Sequence, residues 1–177
     1  MAHICAIRNN YRSQCNNYSL PIFIAKTVFI AKTVFIAKTV VFKTSERLQD
    51  FWLWESLRVV QPRIVVVEIQ ELWGPEIRRT RPYDPDHVAR GPDAIAQMGA
   101  SLGAFNELAR RRGYRLAGCM ALGFNAFFVR EDLPGIDRVL GRGYNATGCF
   151  AHVDAAWGKV LEQRKRQAQR YAWVDPF

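Results

Sequence analysis

An α/β fold is predicted by three stretches of this sequence. "SERLQDFWLWESLRVVQ" and "GASLGAFNELARRRGY" have the spacing of amphipathic helices, and "RIVVVEIQ" between them is an unbroken β-branched run. A helix, a short turn and a strand apolar on both faces is the rhythm of a sheet covered by helices. With 177 residues, 49% of them apolar and 23% charged, the chain is long enough for one domain with a hydrophobic core.

The chain opens on something quite different. Residues 1–43 carry Arg8, Arg12, Lys26, Lys32, Lys38 and Lys43 and no acid, so +6 of the net +9 lies there. Within this segment the hexamer FIAKTV occurs three times unchanged, at 23–28, 29–34 and 35–40. Six residues are three strand periods, so each copy presents the same face in a β-strand. Phe23, Ala25 and Thr27 fall on one side and Ile24, Lys26 and Val28 on the other. A helix turns each copy by about 240° and scatters the lysines. Strand is therefore the local reading, as one strand or a hairpin covering the edge of a sheet. A β-helix is the weaker reading, because three hexamers make about one coil. Identical copies also leave register poorly specified, since a six-residue slip preserves every contact. The lysines embedded in Phe23–Phe42 exclude a membrane span. No secretory h-region is visible, so the expectation is a cytoplasmic protein in which the sequons at Asn17 and Asn145 carry no weight.

From Thr44 the elements follow in order. Ser45 is the expected cap of the first helix, Leu48, Phe51, Trp52, Leu57 and Val60 its buried side, and Pro62 its end. The strand "RIVVVEIQ" reads as a buried parallel strand. Residues 71–98 form a long irregular segment with four prolines, leaving the sheet at the strand end where α/β proteins bind ligands. The second helix has Ser101 as cap, Leu102, Phe105, Leu108 and Ala109 as apolar stripe, and Gly113 as terminator. "RLAGCMA" and "NAFFVR" read as an antiparallel hairpin, with Asn125 opening its second strand. "PGIDRVLGRGYNATG" reads as a linker and "DAAWGKVLEQRKRQAQRYAW" as a basic helix. Phe51, Trp52, Trp54, Phe127 and Phe128 are expected in the core. Cys5, Cys15, Cys119 and Cys149 form no CxxC pair, which argues against a zinc site and favours isolated thiols.

Four pieces between Asp50 and Leu133 together resemble the C-terminal half of an FkbM-like S-adenosylmethionine-dependent methyltransferase. They are "DFWLWESL", "PRIVVVEIQELWGPE", "PYDPD" with "GASLGAFNELARRRGYRLAGC", and "GFNAFFVREDL". The resemblance implies a partial Rossmann-like, class I methyltransferase-like sheet from its fifth strand onward, ending in an antiparallel hairpin. It implies three regions: 1–43, basic and unrelated; 44–133, methyltransferase-like; and 134–177, a linker and basic helix. The parent activity it implies is methyl transfer from S-adenosylmethionine to a small-molecule or glycan acceptor.

The upstream residues do not supply the matching cofactor site. Residues 1–43 contain no glycine for a tight turn and no Asp or Glu for ribose hydroxyls. "FKTSERLQD" stands where such enzymes resemble Asp-Ile-Asp-Gly-Asn-Asp, and only Asp50 remains. The expectation is a truncated, inactive chain that binds no S-adenosylmethionine itself; a partner chain supplying that half, and hence an oligomer, is the variant reading. Glu68, at the strand end, and Asp84 are the candidate catalytic residues. Glu71, Glu76, Tyr83 and His87 are candidate acceptor contacts. For Glu68 the other reading is a structural carboxylate, and for the loop residues turn chemistry and solvation. The alternative function is a basic interaction protein binding nucleic acid or acidic surfaces through residues 1–43 and "RKRQAQR". A solvated helix face explains "RKRQAQR" more simply, so nucleic acid is not the expected partner.

Overall fold

The structure is a computed structural model, and it describes residues 31–36, 39–44, 49–120, 123–140, 146–150 and 153–177. The first twenty residues and the first FIAKTV copy lie outside them. Five strands form one mixed sheet flanked by helices, which is the α/β class expected. Strands β1 (Ala31–Ile36) and β2 (Thr39–Thr44) pair antiparallel, from Ala31↔Thr44 to Ile36↔Thr39. β1 lies wholly within the second and third FIAKTV copies, whereas β2 takes only Thr39 and Val40 from the repeat and its other four residues from the stretch that follows.

β2 lies parallel to β3 (Ile64–Glu68), with Val41↔Ile64 and Lys43↔Val66 in register. The crossover is helix α1 (Asp50–Ser56). Beyond β3 the order continues through β5 (Asn125–Arg130) to β4 (Tyr114–Cys119), all antiparallel, so the sheet reads β1-β2-β3-β5-β4. The expected parallel strand is therefore parallel to one neighbour and antiparallel to the other.

Helix α1 is shorter than its apolar pattern. Ser45 and Leu48 lie outside the described residues, and Leu57 is already extended. The Arg112 guanidinium ends the helix by donating to the carbonyls of Trp54, Glu55 and Leu57, groups that otherwise lack partners at a helix C-terminus. Val60 is consequently exposed rather than buried. Phe51 and Trp54 face the core, where Trp54 meets Tyr114 edge-on at 5.5 Å and Phe128 at 5.2 Å. Phe127 is 38% exposed, correcting its placement in the core. Strand alternation puts it on the face opposite the fully buried Ala126 and Phe128.

Helix α2 (Leu102–Arg111) follows the sequence closely. Ser101 Oγ accepts from the Ala104 N–H, and Gly113 takes the left-handed conformation, φ 72°, past the helix end. Its Leu102, Ala104, Phe105, Leu108 and Ala109 join Val65, Val67 and Leu116 in the core.

The predicted linker after Leu133 carries elements of its own among the described residues. It contains α3 (Ile136–Leu140) and a 3-10 turn (Ala146–Phe150), before α4 (Val153–Ala168). Two long-range ties reach these elements: Arg115 pairs with Asp137 at 2.7 Å, and Cys119 is joined to Cys149 by a disulfide. That bond corrects the reading of isolated thiols for these two cysteines. Thirty residues separate them, a spacing that carries no local signature. No helix among the described residues is long and apolar enough to cross a membrane.

Gly103 lets the loop backbone lie directly on α2. A Cβ there would stand 2.5 Å from the Glu76 carbonyl oxygen, which is main chain and cannot swing aside. Gly103→Ala should destabilise the protein by about 1–3 kcal/mol in urea unfolding, the usual cost of overpacking. A neutral effect would mean that residues 76–77 do not pack on α2.

Candidate functional site

The carboxyl end of β3 gathers most of the chemistry. Arg63 accepts from the Arg130 N–H at 3.1 Å and the Ile69 N–H donates to Phe124 at 2.9 Å, so odd-numbered peptide groups face β5. Alternation turns the Glu68 N–H to the opposite edge, beyond the last β2 pairing at Lys43↔Val66. There it donates to Asp50 Oδ2 at 2.9 Å. Asp50, the first residue of α1, is only 2% exposed, and its carboxylate continues the ladder where β2 stops.

Gln49, one residue earlier, reaches the loop. Its side-chain amide donates to the Asp84 carbonyl at 2.7 Å and accepts from the Asp84 N–H at 3.3 Å. Asp84 Oδ1 in turn accepts from the Asp86 N–H at 2.9 Å, the local bond expected of a turn aspartate. Trp52 donates to the Arg81 carbonyl at 2.8 Å and meets Tyr83 edge-on at 6.5 Å. Tyr83 is 64% exposed. The main chains of Glu68 and Asp84 and the ring of Tyr83 are thus tied to Asp50, Gln49 and Trp52 respectively, around the start of α1. Half-buried His87 belongs to the same turn, its N–H donating to the Asp84 carbonyl at 3.1 Å.

Glu71 and Glu76 are not brought to this group. Glu76 is exposed on the side where the loop crosses α2. Glu71 is buried in the 3-10 turn Glu71–Trp73 beneath α4, with Arg164 Nη1 3.4 Å from its Oε1. Burial raises its pKa above the ordinary 4.5, opposed by a backbone hydrogen bond and by the charge of Arg164. A carboxyl of raised pKa suits proton transfer, but at 3% exposure this one meets no acceptor in the described fold.

Two contributors escaped the sequence reading. Gln70, buried, spans the returning loop by donating to the Ile95 and Met98 carbonyls at 2.8 and 3.0 Å. Residues 171–177 form the other. Thr80 and Val174 exchange backbone hydrogen bonds at 3.0 and 2.9 Å, Arg78 pairs with Asp175 at 2.9 Å, and Arg111 lies 4.1 Å over the Phe177 ring. Neither has a short-range motif.

An open groove of about 670 Å³ lies over the helices, between Trp52, Arg58, Arg111, Arg112 and Tyr114. Its cations are engaged: Arg58 with Glu55, Arg111 with Glu107 and Arg112 with the end of α1. Among the described residues no cluster of His, Cys, Asp and Glu is suited to hold a metal ion. Comparison with protein-family models, curated proteins and solved structures found no match to this chain.

Two carboxylates give opposite pH signatures. Arg110 and Arg111 hold Glu107 down to about 2, so its contribution to stability is present above 4.5 and lost as pH falls toward 2. Glu71, raised, contributes most below 4.5, and that contribution is lost as pH rises through its folded value. Glu71→Gln removes only the second effect. Urea midpoints should show the variant gaining on the parent between pH 4.5 and 7. A constant difference would show that Glu71 titrates normally.

Proposed function

We propose that this chain carries the acceptor-side half of a methyltransferase-like α/β domain and does not itself transfer methyl groups. The observation that carries the reading is what stands beside β3. On the resemblance, this strand is the fifth of a Rossmann-like sheet, and the cofactor-binding strands lie on the edge away from the terminal hairpin. That edge is taken by β2, whose pairing residues Val41–Lys43 follow directly on the FIAKTV repeat, and then by β1 from within the repeat. Neither these strands nor the rest of residues 1–43 contain the glycine or carboxylate needed to cradle S-adenosylmethionine.

The downstream order supports the same reading. β3 is followed by the antiparallel pair β4 and β5, with β5 beside β3, the order that the resemblance implies after its fifth strand. Glu68, Asp84, Tyr83 and His87 are then the retained acceptor-side groups, for a small molecule or glycan. Glu71 and Glu76 drop out of that set by position.

Calorimetric titration of the full chain with S-adenosylmethionine should give no saturable heat, with any Kd weaker than about 1 mM. Stoichiometric binding at micromolar concentration would overturn the proposal, since it requires a cofactor site within these residues.

A further inference from the structure

We propose that the Cys119–Cys149 disulfide is a redox latch for a C-terminal arm, residues 146–177, that covers the loop end of the sheet. The inference does not depend on methyl transfer. Cys119 is the last residue of edge strand β4, and Cys149 sits in the 3-10 turn from which the arm departs. The bond lies at the seam between sheet and arm.

Beyond that seam the arm is held by a small second core. Leu72, Ala96 and Ala168 are its buried members among the described residues, with Trp73, Leu161 and Trp173 packed around them. Its other ties among the described residues are polar or partly exposed, among them Arg164 to Glu71, Tyr171 to Asp93 at 2.6 Å, Arg78 to Asp175, Arg81 to the Ala172 carbonyl, the Thr80–Val174 bridge and the 38% exposed Phe177 beside Phe51 and Arg111. Such an attachment opens at lower free energy than strands paired on both edges. The disulfide closes a loop of thirty residues and limits how far the arm can depart.

The two sulfurs differ in access. Cys149 is 4% exposed within the main core, whereas Cys119 is half-buried at the strand end. A dithiol reductant attacks Cys119 Sγ, the S–S bond breaks, and Cys149 leaves as thiolate and takes up a proton. The second reductant thiol then attacks the mixed disulfide and frees Cys119 as a thiol. The reductant ends as a cyclic disulfide, having delivered two electrons. Release of the arm uncovers Glu71 and the apolar Leu72, Trp73 and Ala96 around it. A reducing compartment therefore favours the open form and an oxidising one the covered form.

Hydrogen exchange read by mass spectrometry on the full chain, with and without dithiothreitol, tests the latch. Reduction should speed exchange in residues 153–177 and 69–73 by about tenfold or more, leaving residues 64–68 and 125–130 unchanged. The Cys119→Ser/Cys149→Ser variant should show the fast pattern without reductant and no response to it. Unchanged arm exchange in reduced parent protein would overturn the proposal, even if the variant fails to fold. Equal acceleration of β3 and β5 would overturn it too, because that is global unfolding. So would alkylation of both Cys119 and Cys149 in air-oxidised protein, because no bond then exists to break.

Discussion

A doubly buried strand must find a partner for every peptide group, and β3 meets this requirement from three sources. Its odd-numbered groups face β5, in a ladder bounded by Arg63–Arg130 and Ile69–Phe124. Its even-numbered groups face β2 as far as Val66. Beyond that point the Asp50 carboxylate accepts from Glu68. An unpaired N–H at this depth costs about 1–3 kcal/mol, so the helix that brings Asp50 is coupled to the strand it crosses over to. Sheet, crossover helix and loop entry are fixed together, because Gln49, next to Asp50, holds the Asp84 turn.

This requirement gives β2, and the hairpin it forms with β1 from the repeat, a physical role. Without β2 the even edge of β3 would be an open row of donors and acceptors, a template for pairing with another chain. The hairpin at the end of the FIAKTV repeat closes that edge, and β1 is then the outermost strand among the described residues. β-Branched and aromatic residues on a two-residue strand period suit the task, and exact repetition adds nothing to it. The hairpin satisfies backbone geometry while contributing none of the groups that a nucleotide-type cofactor needs.

The elements legible in the sequence are those whose signals are local. Helix α2 declared its cap at Ser101, its stripe and its terminating Gly113, and all three stand as read. β3 was visible as a β-branched run, and the terminal hairpin as two short strands. What escaped depends on partners far along the chain. α1 stops at Ser56 because Arg112, more than fifty residues on, takes its last carbonyls. Beyond Leu133, α3 is tied to β4 by Asp137 pairing with Arg115, and the 3-10 turn by Cys149 bonding Cys119. The candidate site divides in the same way. Glu68 follows from strand-end logic and Asp84 from the loop that leaves that end, and their main chains are tied to the neighbouring residues Asp50 and Gln49, whereas Glu71, three residues past Glu68, turns under α4 to a partner that no local pattern names.

Residue-resolved amide exchange along β3 tests the central claim most directly, because adjacent amides report on opposite edges. If the repeat hairpin and Asp50 close the second edge, Ile64, Val66 and Glu68 should be protected to within about tenfold of Val65 and Val67. Fast exchange at the three even positions, with Val65 and Val67 still protected by β5, would contradict it. That edge would then be open, and β1 and β2 would not belong to the sheet.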